Sequence, residues 1–209
     1  MNLVQRLPAG DWRGVGDQRV PGAAPEQLGW VGRLVLRLIR RRTRAASDYN
    51  VFLVLARLGS IFPAHAVFLS QILLRGRLSQ TEKELTILRV AWRMGCGYEW
   101  GHHAHMAADL GIPAAEVAAM ADPTPRTPVN RRDALVAIAD ELLASHTLSD
   151  PGWEAAGAWL NEDELLEACM LVGHYAMVAM TLNATRVQLE DEFIPAPPAS
   201  GTATEGVSA

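Results

Sequence analysis

One segment of this chain, residues 161–189, starts like a helix and is then apolar on almost every side. Asn161 and Glu164 have the spacing of a capping box, in which each side chain accepts a hydrogen bond from the other residue's backbone N–H. From 168 to 182 the residues leave almost no polar face, so other helices have to surround this one. The segment therefore predicts the central helix of a helical bundle.

The rest of the chain repeats the signals of helix ends, whereas the apolar–polar alternation of strands is hard to find. Ser79 and Glu82 form a second capping box. Gly95 and Gly97 interrupt the helix that follows, and the proline-rich segment 121–128 cannot continue a helix. We therefore expect an all-α fold, a helical bundle. Further helices are predicted at about residues 26–44, 49–58, 63–75, 130–145 and 151–160.

Length and composition predict one helical domain with appendages, because 209 residues that are 49% hydrophobic suffice to bury a single core. Gly and Pro are frequent up to about residue 25 and predict a loose arm there. The helix predicted at 26–44 carries arginines along one side, which we interpret as a solvated face or an oligomer contact. The predicted organisation is an arm with a basic helix over 1–60, a helical domain over 61–192, and a disordered tail over 193–209.

The net charge bears on which partners the protein can bind, and the cysteine content bears on its cellular compartment. A net charge of −4 gives no general attraction to nucleic acid or anionic lipid, so we predict neither a nucleic-acid partner nor stable membrane association. The two cysteines, Cys96 and Cys169, form no disulfide framework and are typical of a reducing cytoplasm. The first residues lack the order of a secretion signal, and no uninterrupted apolar run reaches about 18 residues. We therefore expect a soluble cytoplasmic protein.

A thiol, a carboxylate and an imidazole share the segment 95–103. Cys96, Glu99 and His103 are spaced i, i+3 and i+7, so on a helix they lie on one face. Glu99 and His103 could pair and prepare a general base, or form an ordinary surface pair. The helix dipole favours the thiolate of Cys96, whereas nearby carboxylates oppose it, and a small buried residue is the alternative. Glu84 enters an apolar segment and needs a partner, because an isolated buried charge is costly.

At these residues the chain resembles the carboxymuconolactone decarboxylase family, which includes the alkylhydroperoxidase D-like proteins. The redox branch has a Glu, then Cys-x-x-Cys at a helix start, then a His four residues after the second Cys. Glu84, Cys96 and His103 match this spacing, and Glu99 stands in place of the second Cys. The likeness extends from about residue 61 to 189. It implies a helical bundle, a homo-oligomer that is a trimer or a multiple of it, and a relay in which Glu84 faces His103.

Other candidate residues have plainer interpretations. Cys169, on the apolar helix, is expected to be a core residue. His174 and Tyr175 could line a pocket, but we expect a satisfied core pair. The histidines around residue 103 do not predict a metal site, because neighbours on a helix point about 100° apart. We therefore predict no metal and no cofactor.

Three functions remain open at this point. The first is carboxymuconolactone decarboxylase-like chemistry on a small organic acid or lactone, with His103 as acid/base and Glu84 or Glu99 as its orienting partner. The second is thiol-dependent hydroperoxide reduction by Cys96, reset by an external thiol or by Cys169 if their Cα atoms lie within about 7 Å. The third is a non-catalytic oligomeric binding protein. The candidate catalytic residues are Glu84, Cys96, Glu99 and His103.

Overall fold

The computed structural model describes residues 7–43 and 45–194, and its regular structure there is helical. The α-helices are α1 (Trp30–Thr43), α2 (Asn50–Leu55), α3 (Ile61–Leu74), α4 (Gln80–Arg93), α5 (Gly97–Asp109), α6 (Ala114–Ala119), α7 (Arg131–Ser145), α8 (Asp150–Gly157) and α9 (Glu162–Thr185). Short 3₁₀ turns are Pro25–Gln27, Ala56–Leu58 and Asp191–Phe193. No strand is present within those two ranges, and the predicted all-α fold class is confirmed.

Both predicted capping boxes are present. At the start of α4, the backbone N–H of Glu82 donates to Ser79 Oγ at 3.2 Å, and the Glu82 carboxylate accepts from the Ser79 N–H at 2.8 Å. The same exchange opens α9. However, α9 ends at Thr185, before the predicted end at residue 189. The cause is Arg186, whose φ of 55° places it in the left-handed region and ends the helix.

Helix α4 occupies the middle of the bundle and packs against α5, α7 and α9. All its residues from Lys83 to Ala91 are buried. Lys83 Nζ lies 3.3 Å from a carboxylate oxygen of Glu167. Arg89 makes two hydrogen bonds of 2.7 Å to the carboxylate of Asp140. Because a buried cation requires an opposite charge, these pairs explain how α4 tolerates basic residues in its interior.

Helix α9 differs from the predicted central helix, because only one of its faces is covered. That face packs against α4, α7 and α8. Among the described residues, α9 is the one helix with the length and hydropathy of a membrane span, and 44% of its most apolar window is buried inside the fold. The opposite face carries an exposed apolar stripe, in which each side chain is 46–62% exposed. The stripe consists of Leu166, Met170, Met177 and Met180.

The segment before α1 is packed against the helices, so the expected loose arm is wrong for residues 7–25. The N–H of Arg13 donates to the carbonyl of Gly95 at 2.7 Å, and the N–H of Ala23 donates to the carbonyl of Leu53 at 2.8 Å. Backbone hydrogen bonds of this kind fix an extended chain that has no regular structure of its own. The segment thereby covers the junction of α4 and α5.

The predicted disordered tail falls mostly outside the described residues. Phe193, its first residue, is buried in the turn Asp191–Phe193 and packs with residues that follow α9. Residues 195–209 lie outside the described part, as do residues 1–6 of the predicted arm. The domain boundaries at 60 and 192 stay a prediction.

Candidate active site

The site is built around the tight junction between α4 and α5. Gly95 has a φ of +63°, and a Cβ atom there would lie 2.0 Å from the carbonyl oxygen of Asp11. Only glycine therefore fits the turn. Cys96 follows as the N-cap residue of α5, and its N–H donates to the carbonyl of Ala91 at 2.8 Å. This junction directs the next two turns of α5 across the face of α4.

The first element of the site is a buried pair between the two helices. His103 Nδ1 lies 2.6 Å from Oε2 of Glu84, and both residues are buried. The expectation that Glu84 faces His103 from the neighbouring helix agrees with this geometry. Because a carboxylate accepts the hydrogen bond, Nδ1 donates it, and Nε2 is the ring nitrogen left for a ligand. Tyr175 packs edge-on against the imidazole, with ring centroids 5.1 Å apart.

The second element is Glu99, which lies one turn before His103 on α5. The predicted direct pair between Glu99 and His103 does not form, because the imidazole bonds Glu84 instead. Both carboxyl oxygens of Glu99 are buried without a hydrogen-bond partner among the described residues. Burial raises the pKa of Glu99 well above its ordinary value. Burial therefore favours the protonated, neutral form of Glu99.

Glu99 and His103 line the same cavity of about 160 Å³, bounded mainly by apolar side chains of α2, α3, α5 and α9. Tyr175, His65 and His174 line it as well. Every fully buried side-chain nitrogen or oxygen that lacks a partner in the described part of the chain belongs to Glu99, His65 or His174. Since buried polar atoms are rarely left unpaired, their collection at one cavity indicates a ligand site.

His65 and His174 form a stacked pair on this cavity, with ring centroids 5.1 Å apart and planes inclined by 22°. Burial, together with a smaller effect of the neighbouring His65, lowers the pKa of His174 to about 4. Burial also lowers the pKa of His65. The expected satisfied core pair of His174 and Tyr175 is wrong, because Nε2 of His174 has no partner among the described residues. His65 was missed, although a single histidine in the apolar segment 61–74 was a signal.

Cys96 lies apart from this cavity. It is 0% exposed, and it does not line the cavity that holds Glu99. Burial raises the pKa of its thiol well above the ordinary value, and a charge on Glu99 would raise it more. The effect of burial therefore exceeds that of the helix dipole, and Cys96 is a neutral thiol.

Cys169 cannot serve Cys96 as a second thiol. Ala179 of α9 belongs to the apolar cluster around Cys96, and Cys169 precedes it by ten residues, or about 15 Å of helix. Both cysteines are free. A disulfide requires Cα atoms within about 7 Å, so this arrangement does not provide one.

A second histidine–carboxylate pair lies beside the cavity. His102 Nε2 is 2.7 Å from Oε2 of Glu190, whose other oxygen accepts from Tyr98 Oη at 2.9 Å and from the Asn50 N–H at 2.6 Å. The sequence prediction missed Glu190, because 88 residues separate it from His102 and no motif marks it. Within the described ranges, no three His, Cys, Asp or Glu side chains are arranged to hold a metal ion.

Residues 64–141, which include α4, α5 and their junction, match the model of the Carboxymuconolactone decarboxylase family. The predicted resemblance is confirmed. The match covers less than half of the chain, and it includes Glu84, Cys96, Glu99 and His103 but not α9. No curated protein sequence matches the chain.

Two solved structures share the all-α fold of this chain. One is an alkylhydroperoxidase AhpD core from Ralstonia eutropha, a peroxidase-related protein, with a TM-score of 0.72 and 20% sequence identity over 88% of this chain and 100% of that one. The other is a peroxidase-related protein from Silicibacter sp., with a TM-score of 0.71 and 14% identity over 86% of this chain and 97% of that one. At such identities the likeness establishes the fold alone.

Proposed function

We propose that this protein is an acid/base enzyme that moves a proton between carbon and oxygen of a small organic acid or lactone. The family match supports decarboxylase-type chemistry in general, and the names of the two solved structures support peroxidase-related chemistry. One observation carries the choice between them. Glu99, as a neutral carboxylic acid, lines one largely apolar cavity together with His103, whose imidazole is hydrogen-bonded to Glu84. The Cys96 thiol does not line this cavity.

His103 is the base in this proposal. Nδ1 donates to Glu84, so the lone pair of Nε2 can accept a proton from the carbon next to a substrate carbonyl. The buried carboxylate of Glu84 then stabilises the imidazolium that forms. The pair is held between two helices and needs no rearrangement before the proton moves.

Glu99 is the acid. As the C–H proton moves to Nε2 of His103, the Glu99 proton moves to the carbonyl oxygen and an enol forms. In the reverse transfers, His103 returns a proton to the same carbon or to a different one, and the enol hydroxyl returns its proton to Glu99. Exchange or isomerisation results, and atoms and charge balance without an oxidant or a reductant. Tyr175, whose pKa burial raises, supplies a further neutral hydroxyl at the cavity.

Hydroperoxide reduction ranks second because a thiol must be accessible and ionised to attack peroxide. Cys96 is neither, and the other cysteine, Cys169, is not bonded to it. The non-catalytic alternative accounts for a cavity with unpaired polar atoms. It does not explain why His103 lines that cavity while its Nδ1 is bonded to Glu84 and its Nε2 is left free.

Parallel assays test this proposal. Purified protein is given small lactones, β-keto acids and hydroperoxides, and exchange of the α-proton is followed by NMR in deuterated water while peroxide is assayed separately. We expect exchange or turnover of a carbonyl compound that survives Cys96→Ser and disappears in His103→Asn. Rapid peroxide consumption that is abolished by Cys96→Ser would reverse the ranking.

We further propose a homo-oligomer, which the exposed stripe of α9 supports. Apolar stripes of this size on a helix usually lie in protein interfaces. Met177→Lys with Met180→Lys should lower the mass measured by sedimentation velocity, whereas Leu110→Lys, at the end of α5, should leave it unchanged. An unchanged mass in the double variant would exclude the stripe as the interface.

A further inference from the structure

We infer that the substrate of this cavity is uncharged: a small, largely apolar molecule whose polar groups meet Glu99 on α5 and the His65–His174 pair on α3 and α9. This inference rests on the proposed function, because it identifies the substrate class of the same site. It selects a lactone or a similar neutral carbonyl compound over an organic acid.

The lining of the cavity provides no cation for a substrate carboxylate. Among the described residues that line it, none is Lys or Arg. The two basic side chains buried in α4 have partners of their own, Lys83 with Glu167 and Arg89 with Asp140. An anion placed in such an apolar cavity loses its hydration and gains no opposite charge, which is strongly unfavourable.

Four histidines line the cavity, and His102 and His103 are each hydrogen-bonded to a carboxylate. The other two, His65 and His174, do not replace that cation either. Burial lowers the pKa of both, to about 4 in His174, so both imidazoles are neutral at neutral pH. A neutral imidazole offers one N–H donor and one lone pair. Because the unpartnered nitrogens are buried at the cavity, they fit the hydroxyl, ester or carbonyl oxygens of a neutral ligand.

The approach to the cavity is acidic. A larger cavity of about 500 Å³ adjoins it, and both are lined by Tyr49, His102 and Met106. Asp109 and Glu192 border this outer cavity. Burial raises the pKa of Tyr49, and the negative charges of Glu192, Glu190 and Asp109 contribute to that rise. Negative charges at an entrance lower the local concentration of anions and slow their entry.

A matched pair of ligands tests the inference on the full chain. Methyl phenylacetate and phenylacetate share an aromatic body and an α-carbon, and only the second is charged at neutral pH. By isothermal titration calorimetry we expect the ester to bind and the anion to bind at least about tenfold more weakly. Equal or tighter binding of phenylacetate, or no binding of the ester, would overturn the inference.

Two variants test its physical cause. His65→Arg adds a cation at the cavity and should strengthen phenylacetate binding at least about tenfold while weakening that of the ester. If it fails to fold, Asp109→Asn with Glu192→Gln, both at the exposed entrance, should still raise the association rate of phenylacetate alone. The control is Glu154→Gln with Glu162→Gln, which removes two exposed charges away from the cavity. An entrance variant indistinguishable from this control would overturn the entrance argument.

These measurements separate the two proposals, because binding needs no turnover. Preference for the ester without any exchange of its α-protons would refute the acid/base function and keep the substrate class. Tight binding of phenylacetate together with proton exchange would refute the substrate class and keep the function.

Discussion

Two adjacent histidines of α5 each bond a carboxylate, yet their surroundings differ. His102 Nε2 lies 2.7 Å from Glu190, and His103 Nδ1 lies 2.6 Å from Glu84. His102 thereby engages the nitrogen that reaches furthest from the backbone, whereas His103 engages the nearer one and leaves Nε2 for a ligand. We therefore propose that the same pair of residue types acts as a structural clamp in one place and as a prepared base in the other.

The carboxylates differ in the same way. Glu190 also accepts from Tyr98 and from the Asn50 backbone, and so ties the chain after α9 to α2 and α5. Glu84 has only the imidazole as a side-chain partner in the described part of the chain. The role of a histidine–carboxylate pair therefore depends on which of its atoms remain free to contact a ligand.

The largest effect is expected for His103→Asn, whose amide can still donate to Glu84 but has no base at the cavity. Proton exchange should fall at least about a hundredfold, because general-base catalysis contributes about 10²–10⁴. NMR exchange rates measure this, with His102→Asn as the matched variant next to it. Equal losses in both variants would contradict the distinction between the two pairs.

Glu99→Gln should lower proton exchange by about a hundredfold, because an amide fills the space but does not transfer a proton. In the wild type, exchange should decline as pH rises through the raised pKa of Glu99, since the protonated form is the acid. A pH–rate profile of kcat measures both effects. A variant with the wild-type profile would exclude Glu99 as the acid.

Glu99→Gln should also raise the free energy of unfolding relative to the wild type as pH rises, although it lowers activity. Between the ordinary carboxyl pKa of the unfolded chain and the raised pKa of folded Glu99, the folded state binds one more proton. The wild-type free energy of unfolding therefore falls through this group by about 1.4 kcal/mol per pH unit as pH rises. Urea unfolding across pH should show the variant gaining on the wild type, and parallel curves would contradict the neutral acid.

Glu190→Gln should lower the free energy of unfolding by about 1–3 kcal/mol while leaving proton exchange within a few-fold. Burial alone would raise the pKa of Glu190, but hydrogen bonds from His102 and the Asn50 N–H lower it overall. Its stabilisation is therefore present at neutral pH and is lost as pH falls through the lowered pKa. Thermal melts against exposed Glu192→Gln measure it, and equal stability of the two variants would argue against a clamp.

The smallest effect is expected for Cys96→Ser, because the thiol is buried, neutral and outside the cavity. Exchange of carbonyl substrates should stay within about twofold of the wild type, and peroxide consumption should be weak in both proteins. A large loss of exchange would place Cys96 in the reaction after all.

Much of the local structure could be predicted from the sequence. Ser79, Asn161 and the glycines around Cys96 specify helix ends through hydrogen bonds and φ angles within a few residues. The link between Glu84 and His103 came from the family spacing rather than from periodicity. By contrast, His65 and Glu190 escaped prediction, because each gains its role from a helix or segment far along the chain.

The sequence by itself determined the all-helical class, the break at Cys96 and the residue types available for chemistry. Only the tertiary structure decided that Glu84 rather than Glu99 bonds His103, that Cys96 is sealed off, and that His65 meets His174. Local spacing limits which groups can pair within one helix. Which group pairs and which carries a charge depends on the helices that pack around it and exclude water, and these come from distant parts of the chain.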